Sequence, residues 1–188
     1  MTYTPSLNQM LIEQISLSVK DDNILTVKTL LESGSNINWK NMADDDQTPL
    51  MAAMTTSSRT NLAIVNLLLD NGAEINLRNR FGKTALILAV INDNNHLVNI
   101  LLDKGANVNA QDNTGRTAIM YAVIYDSMPI ANKLIQYGAK INIKDTTNKT
   151  AINLTKKWNN KIKLIFYKII YLVTPKKIEY VITKRFHY

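Results

Sequence analysis

The chain has 188 residues, 46% of them hydrophobic, a formal net charge of +7 and no cysteine. That length suits one domain of ordinary size, and the lack of cysteine excludes disulfides, a thiol nucleophile and a Cys-ligated metal. The charge is unevenly placed. Residues 156–188 hold nine of the 22 Lys and Arg and one of the 15 acids, so the tail is strongly basic and the chain up to Thr155 is near neutral.

Met1 to Gln9 carry neither the charged nor the apolar block of a secretory leader, so none is expected. The first periodic segment is Val27, Leu30-Leu31, Gly34 and Ile37-Asn38. Thr48-Pro49-Leu50-Met51-Ala52-Ala53 follows, and a related box returns as Thr84-Ala85-Leu86-Ile87-Leu88-Ala89 and Thr117-Ala118-Ile119-Met120-Tyr121-Ala122. A weaker copy is Thr150-Ala151-Ile152-Asn153-Leu154. Each box precedes a second signature: Ile64-Val65, Leu68-Leu69, Gly72-Ala73; then Leu97-Val98, Leu101-Leu102, Gly105-Ala106; then Ile130-Ala131, Leu134-Ile135, Gly138-Ala139. Gly72, Gly105 and Gly138 are evenly spaced, and Thr84, Thr117 and Thr150 keep the same interval. A fixed period of this size predicts a stack of small units, none able to bury its apolar face alone.

Each repeated residue has a physical task. The Gly after the Leu pair sits just past a helix end, where a left-handed backbone penalises a Cβ. The Thr is placed to cap the next helix. Small Ala residues let helices approach closely, and Leu97, Ile100 and Leu101 form one stack-facing stripe. Asn36, Asn38, Asn76, Asn109 and Asn142 recur after the Gly signature and are expected to hydrogen-bond the connections between repeats.

The pattern resembles the ankyrin repeat, a β-turn followed by two antiparallel helices. The resemblance covers about residues 10 to 155. It implies an all-α, ankyrin-like solenoid with repeats near 10–40, 44–77, 80–110 and 113–143, and a degenerate fifth beginning at 146–155. No box keeps the family's histidine: Met51, Ile87, Met120 and Asn153 stand there, which removes a hydrogen-bonding tie expected between neighbours. Asp93 and Asp126 replace the glycine of the inter-helix turn and are residue types that tolerate its geometry. The interval from Gly34 to Gly72 is longer than the regular one. The extra residues fall beside Asp44-Asp45-Asp46 and around Thr55-Thr56-Ser57-Ser58, positions expected to be loops.

From Lys156 the register fades. Ile162, Ile165, Phe166, Ile169, Ile170 and Val173 keep helical spacing up to Thr174-Pro175. Residues 156–188 fit a helix that covers the open end of the stack. The Lys-flanked apolar run also fits membrane-surface binding, though it is too short to span a bilayer. Lysines interleaved with Trp158, Tyr167 and Tyr171 allow a nucleic-acid or targeting segment, without the dense cluster such roles usually show.

Signals for catalysis are weak. His96 and His187 have no metal-ligand spacing, and no phosphate loop or nucleophile elbow is present. Asp44-Asp45-Asp46 lacks the Gly and closing Glu of a calcium loop. Asn148-Lys149-Thr150 fits a glycosylation acceptor but sits at a repeat boundary. No cofactor, metal or catalytic residue is therefore expected.

The resemblance implies a non-catalytic, monomeric protein-binding module that uses hairpin tips and the inner face of the first helices. The tips carried across are Arg80, Phe81 and Lys83; Asn113, Thr114 and Arg116; and Thr146, Thr147 and Lys149. The inner face adds Val90, Ile91 and Asn92, then Val123, Ile124 and Tyr125. Phe81, Ile91, Ile124 and Tyr125 are expected to be exposed, while Val90 and Val123 pack inward. The contact set is Arg80, Phe81, Lys83, Ile91, Asn92, Thr114, Arg116, Ile124 and Tyr125. A protein partner is expected, nucleic acid is not, and a membrane surface could be met only through the tail. The abundance of Asn, Ile and Lys over Ala and Arg suits an AT-rich genome, such as that of an intracellular bacterium or large DNA virus. A host-interaction protein, cytoplasmic or exported without a general secretory leader, is the expectation. A peripheral membrane scaffold is the alternative.

Overall fold

A computed structural model describes residues 5–16, 22–55 and 62–154. The expected capping helix beyond Lys156 and the insertion at Thr56-Ser57-Ser58 lie outside the described residues. Among those residues the helices run in pairs: α1 (Leu7–Ser16) with α2 (Asp22–Glu32), α3 (Pro49–Thr55) with α4 (Leu62–Asp70), α5 (Ala85–Ile91) with α6 (Asn95–Asp103), and α7 (Ala118–Ile124) with α8 (Met128–Gln136). A short α9 (Ala151–Leu154) opens a fifth unit. The first helices form one row, α1 on α3 on α5 on α7 on α9; α2 packs on α4 and α6 on α8 in a second row.

The composition of each helix follows from its place. The α5 sequence Ala-Leu-Ile-Leu-Ala-Val-Ile is apolar on every side because α3 and α7 flank it and α6 lies behind it. Ala85, Leu86, Ile87, Ala89 and Val90 are all buried. The second helix α6 is one-sided: Leu97, Val98, Leu101 and Leu102 are buried, while His96 and Asp103 face solvent. Met51, Ile87 and Met120, at the places of the missing box histidine, are 0–1% exposed. Packing takes the place of the expected tie there, and the ties between repeats are made elsewhere.

Three rows of hydrogen bonds make them. Hairpin tips join backbone to backbone: Arg80 N donates to Asp45 O, Asn113 N to Phe81 O, and Thr146 N to Thr114 O, each at 3.0 Å. The repeated asparagines form the second row: Asn38 Oδ1 accepts from Glu74 N at 2.8 Å, Asn76 Oδ1 from Asn107 N at 2.8 Å, and Asn109 Oδ1 from Lys140 N at 2.7 Å. Asn36 differs, since its Oδ1 accepts from Asn38 N within its own turn. The third row links inter-helix turns, with Asn92 Nδ2 donating to Met54 O at 2.6 Å and Ser127 Oγ to Asp93 Oδ1. On the second-helix side Lys104 pairs with Asp70 at 2.8 Å, and Tyr137 donates to Asp103.

The described residues contain no strand, and the connections are tight hairpins with isolated bridges at Asn41–Gln47 and Gln111–Thr117. Asp93 and Asp126 adopt φ of 51° and 62°, so they do serve the left-handed inter-helix turn. The residues added before Thr48 widen the first hairpin, with Asp45 and Asp46 also left-handed. The expected Thr caps form in part. Thr48 Oγ1 accepts from Met51 N at 3.3 Å and Thr84 Oγ1 from Ile87 N at 3.4 Å, but Thr117 makes no cap bond.

Two glycines separate conformational cost from steric cost. Gly105 has φ +84° and open space where a Cβ would stand. Gly115 has φ +75°, but a Cβ there would lie 2.9 Å from Thr146 N and 3.0 Å from Asp145 Cα in the next hairpin. Gly105→Ala is expected to cost about 1–2 kcal/mol from backbone strain alone. Gly115→Ala is expected to cost more, because it also disturbs the Thr146–Thr114 bond. Urea unfolding of the two variants checks the order, and equal losses would contradict it.

Candidate partner-binding surface

The hairpin loops are built on one repeated device that sequence reasoning missed. Asn79, Asp112 and Asp145 recur at the repeat interval, each at the same distance before its box Thr. Each turns its Oδ1 inward to hold the amides two and four positions on. Asn79 accepts from Phe81 N and Lys83 N at 3.0 and 2.9 Å, and Asp112 from Thr114 N and Arg116 N at 2.8 and 3.0 Å. Asp145 accepts from Thr147 N and Lys149 N at 2.8 and 2.9 Å. This fixes the direction in which residues at the tips leave the backbone. The periodic recurrence of Asn or Asp was the available signal.

Phe81 therefore projects outward and is 47% exposed. The Arg80 guanidinium lies 5.6 Å from its ring centroid and Lys83 Nζ 5.9 Å, both within cation–π range. Lys83 Nζ is also 5.8 Å from the ring of Tyr121, and the Arg116 guanidinium is 6.0 Å from that same ring. Tyr125, 53% exposed, stacks on Tyr121 with centroids 6.4 Å apart and planes at 15°. Arg80, Phe81, Lys83, Arg116 and Tyr125 are thus joined into one run, and Tyr121 is the residue that connects them. Ala52 and Leu88 fill its position in other copies of the box, so the repeat pattern gives no sign of this role.

The other expected contacts lie apart from the run or are committed locally. Thr114 Oγ1 donates to Asp112 at 2.7 Å, and its carbonyl holds the next hairpin. The Asn92 amide is held by Met54. Ile91 and Ile124 are half-buried at the ends of α5 and α7, and Val90 and Val123 are buried as expected. Arg80 donates from Nε to Asp45 Oδ1 at 2.6 Å and forms an ion pair with it, so it also tethers two hairpins.

Tyr121 is itself anchored. Its hydroxyl donates to Asp112 Oδ2 at 2.5 Å. Burial pushes its pKa up to about 12, helped by the hydrogen bond to Asp112 and that carboxylate's charge. For Asp112, burial acts to raise the pKa, but hydrogen bonds from Tyr121, Thr114 and the Arg116 amide outweigh it and hold the carboxyl below its ordinary value. Asp145 is likewise lowered, chiefly by the Lys149 amide and the Thr147 hydroxyl.

Chemistry beyond binding finds no converging set. Among the described residues no group of three His, Cys, Asp or Glu is placed to hold a metal ion. A shallow cleft of about 240 Å³ between α2 and α4 is lined by Lys28, Leu31, Ile37 and Leu67. No helix among the described residues is long and apolar enough to cross a membrane.

A stack of helix pairs, stitched through hairpins and presenting a run of aromatic and cationic side chains, defines a repeat protein with a preformed outer face. A family profile described as ankyrin repeats (3 copies) matches residues 54–145. The chain belongs to the ankyrin repeat family, whose members are generally non-catalytic interaction modules. It is 32% identical over 84 residues to an ankyrin repeat protein of Acanthamoeba polyphaga mimivirus, covering 45% of this chain and 52% of that one. It is 43% identical over 79 residues to an ankyrin repeat protein of fowlpox virus (strain NVSL), covering 42% and 22%. Over 64 residues it is 47% identical to mouse ankyrin repeat and SOCS box protein 11, covering 34% and 18%. The chain thus spans about half the length of the first relative and about a fifth of the other two.

Tyr121→Phe removes a hydrogen bond to a charged group and is expected to cost about 1.5–3 kcal/mol. The Asp112 pKa should rise, as followed by carbon-detected NMR. The tyrosine's folded pKa is raised above its ordinary value of 10.0, so its contribution is full below about pH 10 and is lost as pH climbs towards about 12. The stability gap between native chain and Tyr121→Phe should therefore narrow over that window in denaturant titrations. A constant gap would contradict the assignment.

Proposed function

We propose that the chain is a non-catalytic protein-binding module that holds a host protein inside a host cell, as a host-interaction protein of a large DNA virus. The observation that carries this reading is the run from exposed Phe81 through half-exposed Lys83 and the buried ring of Tyr121 to exposed Tyr125, set on a scaffold whose hairpins are hydrogen-bonded within and between themselves. Aromatic residues flanked by Arg and Lys concentrate binding energy at interfaces, because ring burial and charge pairing act at one place. A surface already fixed before encounter loses little conformational entropy on association. The viral setting is supported by relatives from mimivirus and fowlpox virus.

The test is a pull-down from host-cell lysate, run beside Phe81→Ser with Tyr125→Ser. Both side chains are about half exposed, so the double variant should stay folded by circular dichroism. A partner captured by the native chain should fall about tenfold or more with the variant. Equal capture by both would remove this face as the site.

A further inference from the structure

The charges of the hairpin row are segregated by depth. In the loops around Asp112 and Asp145 the carboxylates are only 5% and 6% exposed, and the Oδ1 of each is engaged by the loop's own amides and a threonine hydroxyl. The cations of the same loops point outward. Lys144 and Lys149 are exposed and Arg116 is half exposed; Lys83, from the neighbouring loop built on Asn79, is half exposed and shares the ring of Tyr121 with Arg116. Among the described residues no carboxylate forms an ion pair with Lys83, Lys144 or Lys149. Arg116 Nε reaches Asp145 Oδ2 only at 3.8 Å, too far for a hydrogen bond. Lys83 differs from a freely moving surface lysine, since its ammonium is placed between two rings that remove part of its water.

The field changes sign at one end of this row. Asp44 is exposed and Asp46 half exposed on the widened hairpin, next to Asp45, which neutralises Arg80. A long polyanion laid along the hairpins would leave the cationic stretch and run against these acids. The row is therefore too short and too mixed for a nucleic-acid backbone, whose charges repeat without interruption. A short anionic stretch on a polypeptide fits it.

Resting on the protein-binding reading above, we propose that the occupant of this face is a short acidic segment of the partner protein. Its carboxylates lie against Lys83 and Arg116, and its apolar side chains lie against Phe81 and Tyr125. Complementary charge at such a site sets specificity and association rate, and truncating a paired charge costs binding.

The experiment is selection of random dodecapeptides displayed on phage by the immobilised full chain, with the best peptide then measured by fluorescence polarisation. An oligouridine serves as the nucleic-acid probe. Peptides rich in Asp and Glu should be enriched, and raised salt should weaken them. The variant Lys83→Met with Arg116→Met keeps most side-chain bulk and should bind the selected peptide about tenfold or more weakly. Lys83→Glu with Arg116→Glu should select basic peptides instead. If the reversed variant fails to fold, the methionine variant alone decides. Neutral or basic peptides from the native chain, no enrichment, unchanged affinity in the methionine variant, or tighter binding of oligouridine would each overturn the proposal. Neutral or basic peptides whose binding is lost with Phe81→Ser and Tyr125→Ser would leave the protein-binding reading intact. A lysate partner indifferent to that double variant would remove both.

Discussion

Asn109 Oδ1 accepts the Lys140 amide of the next repeat, while Asn109 Nδ2 donates to the Gly138 carbonyl. The amide bond to Oδ1, repeated at Asn38 and Asn76, sets how far each helix pair can slide against the next. No single pair could be stable alone, because α5 and α7 are apolar on nearly every side and need neighbours to cover them. Apolar packing drives the stacking but is indifferent to register. Directed bonds from short, stiff amide side chains supply the register, and the hairpin row inherits its spacing from them. Without the histidine that the family places in its box, the stack of this chain relies on the asparagine, hairpin and turn rows together.

The parts of this architecture that could be read from residues alone are those that repeat. Gly72, Gly105 and Gly138 marked helix ends because a left-handed backbone selects glycine wherever it occurs, and all three do adopt it. Asp93 and Asp126 were legible for the same reason. Phe81 and Tyr125 could be placed outward by register. The features that escaped notice depend on side-chain reach. Tyr121 occupies a position that holds Ala or Leu in other copies, and only a side chain as long as tyrosine can extend to Asp112. The inward turn of Asn79, Asp112 and Asp145 was written in the period, but Asn stands at one of these positions and Asp at two, and the widened first hairpin displaces Asn41 from the series. Thr117 shows the opposite failure, since the right residue at the right register does not form the expected cap. Asn92 was carried across as a contact residue, and its amide turns out to bind Met54, a use set by the neighbouring repeat.

The near-neutral charge of the chain up to Thr155 therefore conceals a polarised surface. A formal charge tally treats Asp112 and Asp145 as cancelling the lysines and arginines beside them. In the fold these acids serve as acceptors for loop amides, which stabilises their ionised form while withdrawing it from solvent. Their negative charge is committed to holding the loop shape: the Oδ1 of each accepts the loop's own amides, and Asp112 Oδ2 accepts the Tyr121 hydroxyl. Arg80 is tied to Asp45 and Arg78 to Gly82 O and Asn113 Oδ1, while Lys83, Lys144 and Lys149 form no ion pair among the described residues and remain available at the rim. One set of residues thus does two things: the acids shape the hairpin, and by turning inward they leave its outer face cationic around a stacked pair of tyrosines. Binding character here arises from which charges the backbone consumes, and a tally of which charges are present does not record it.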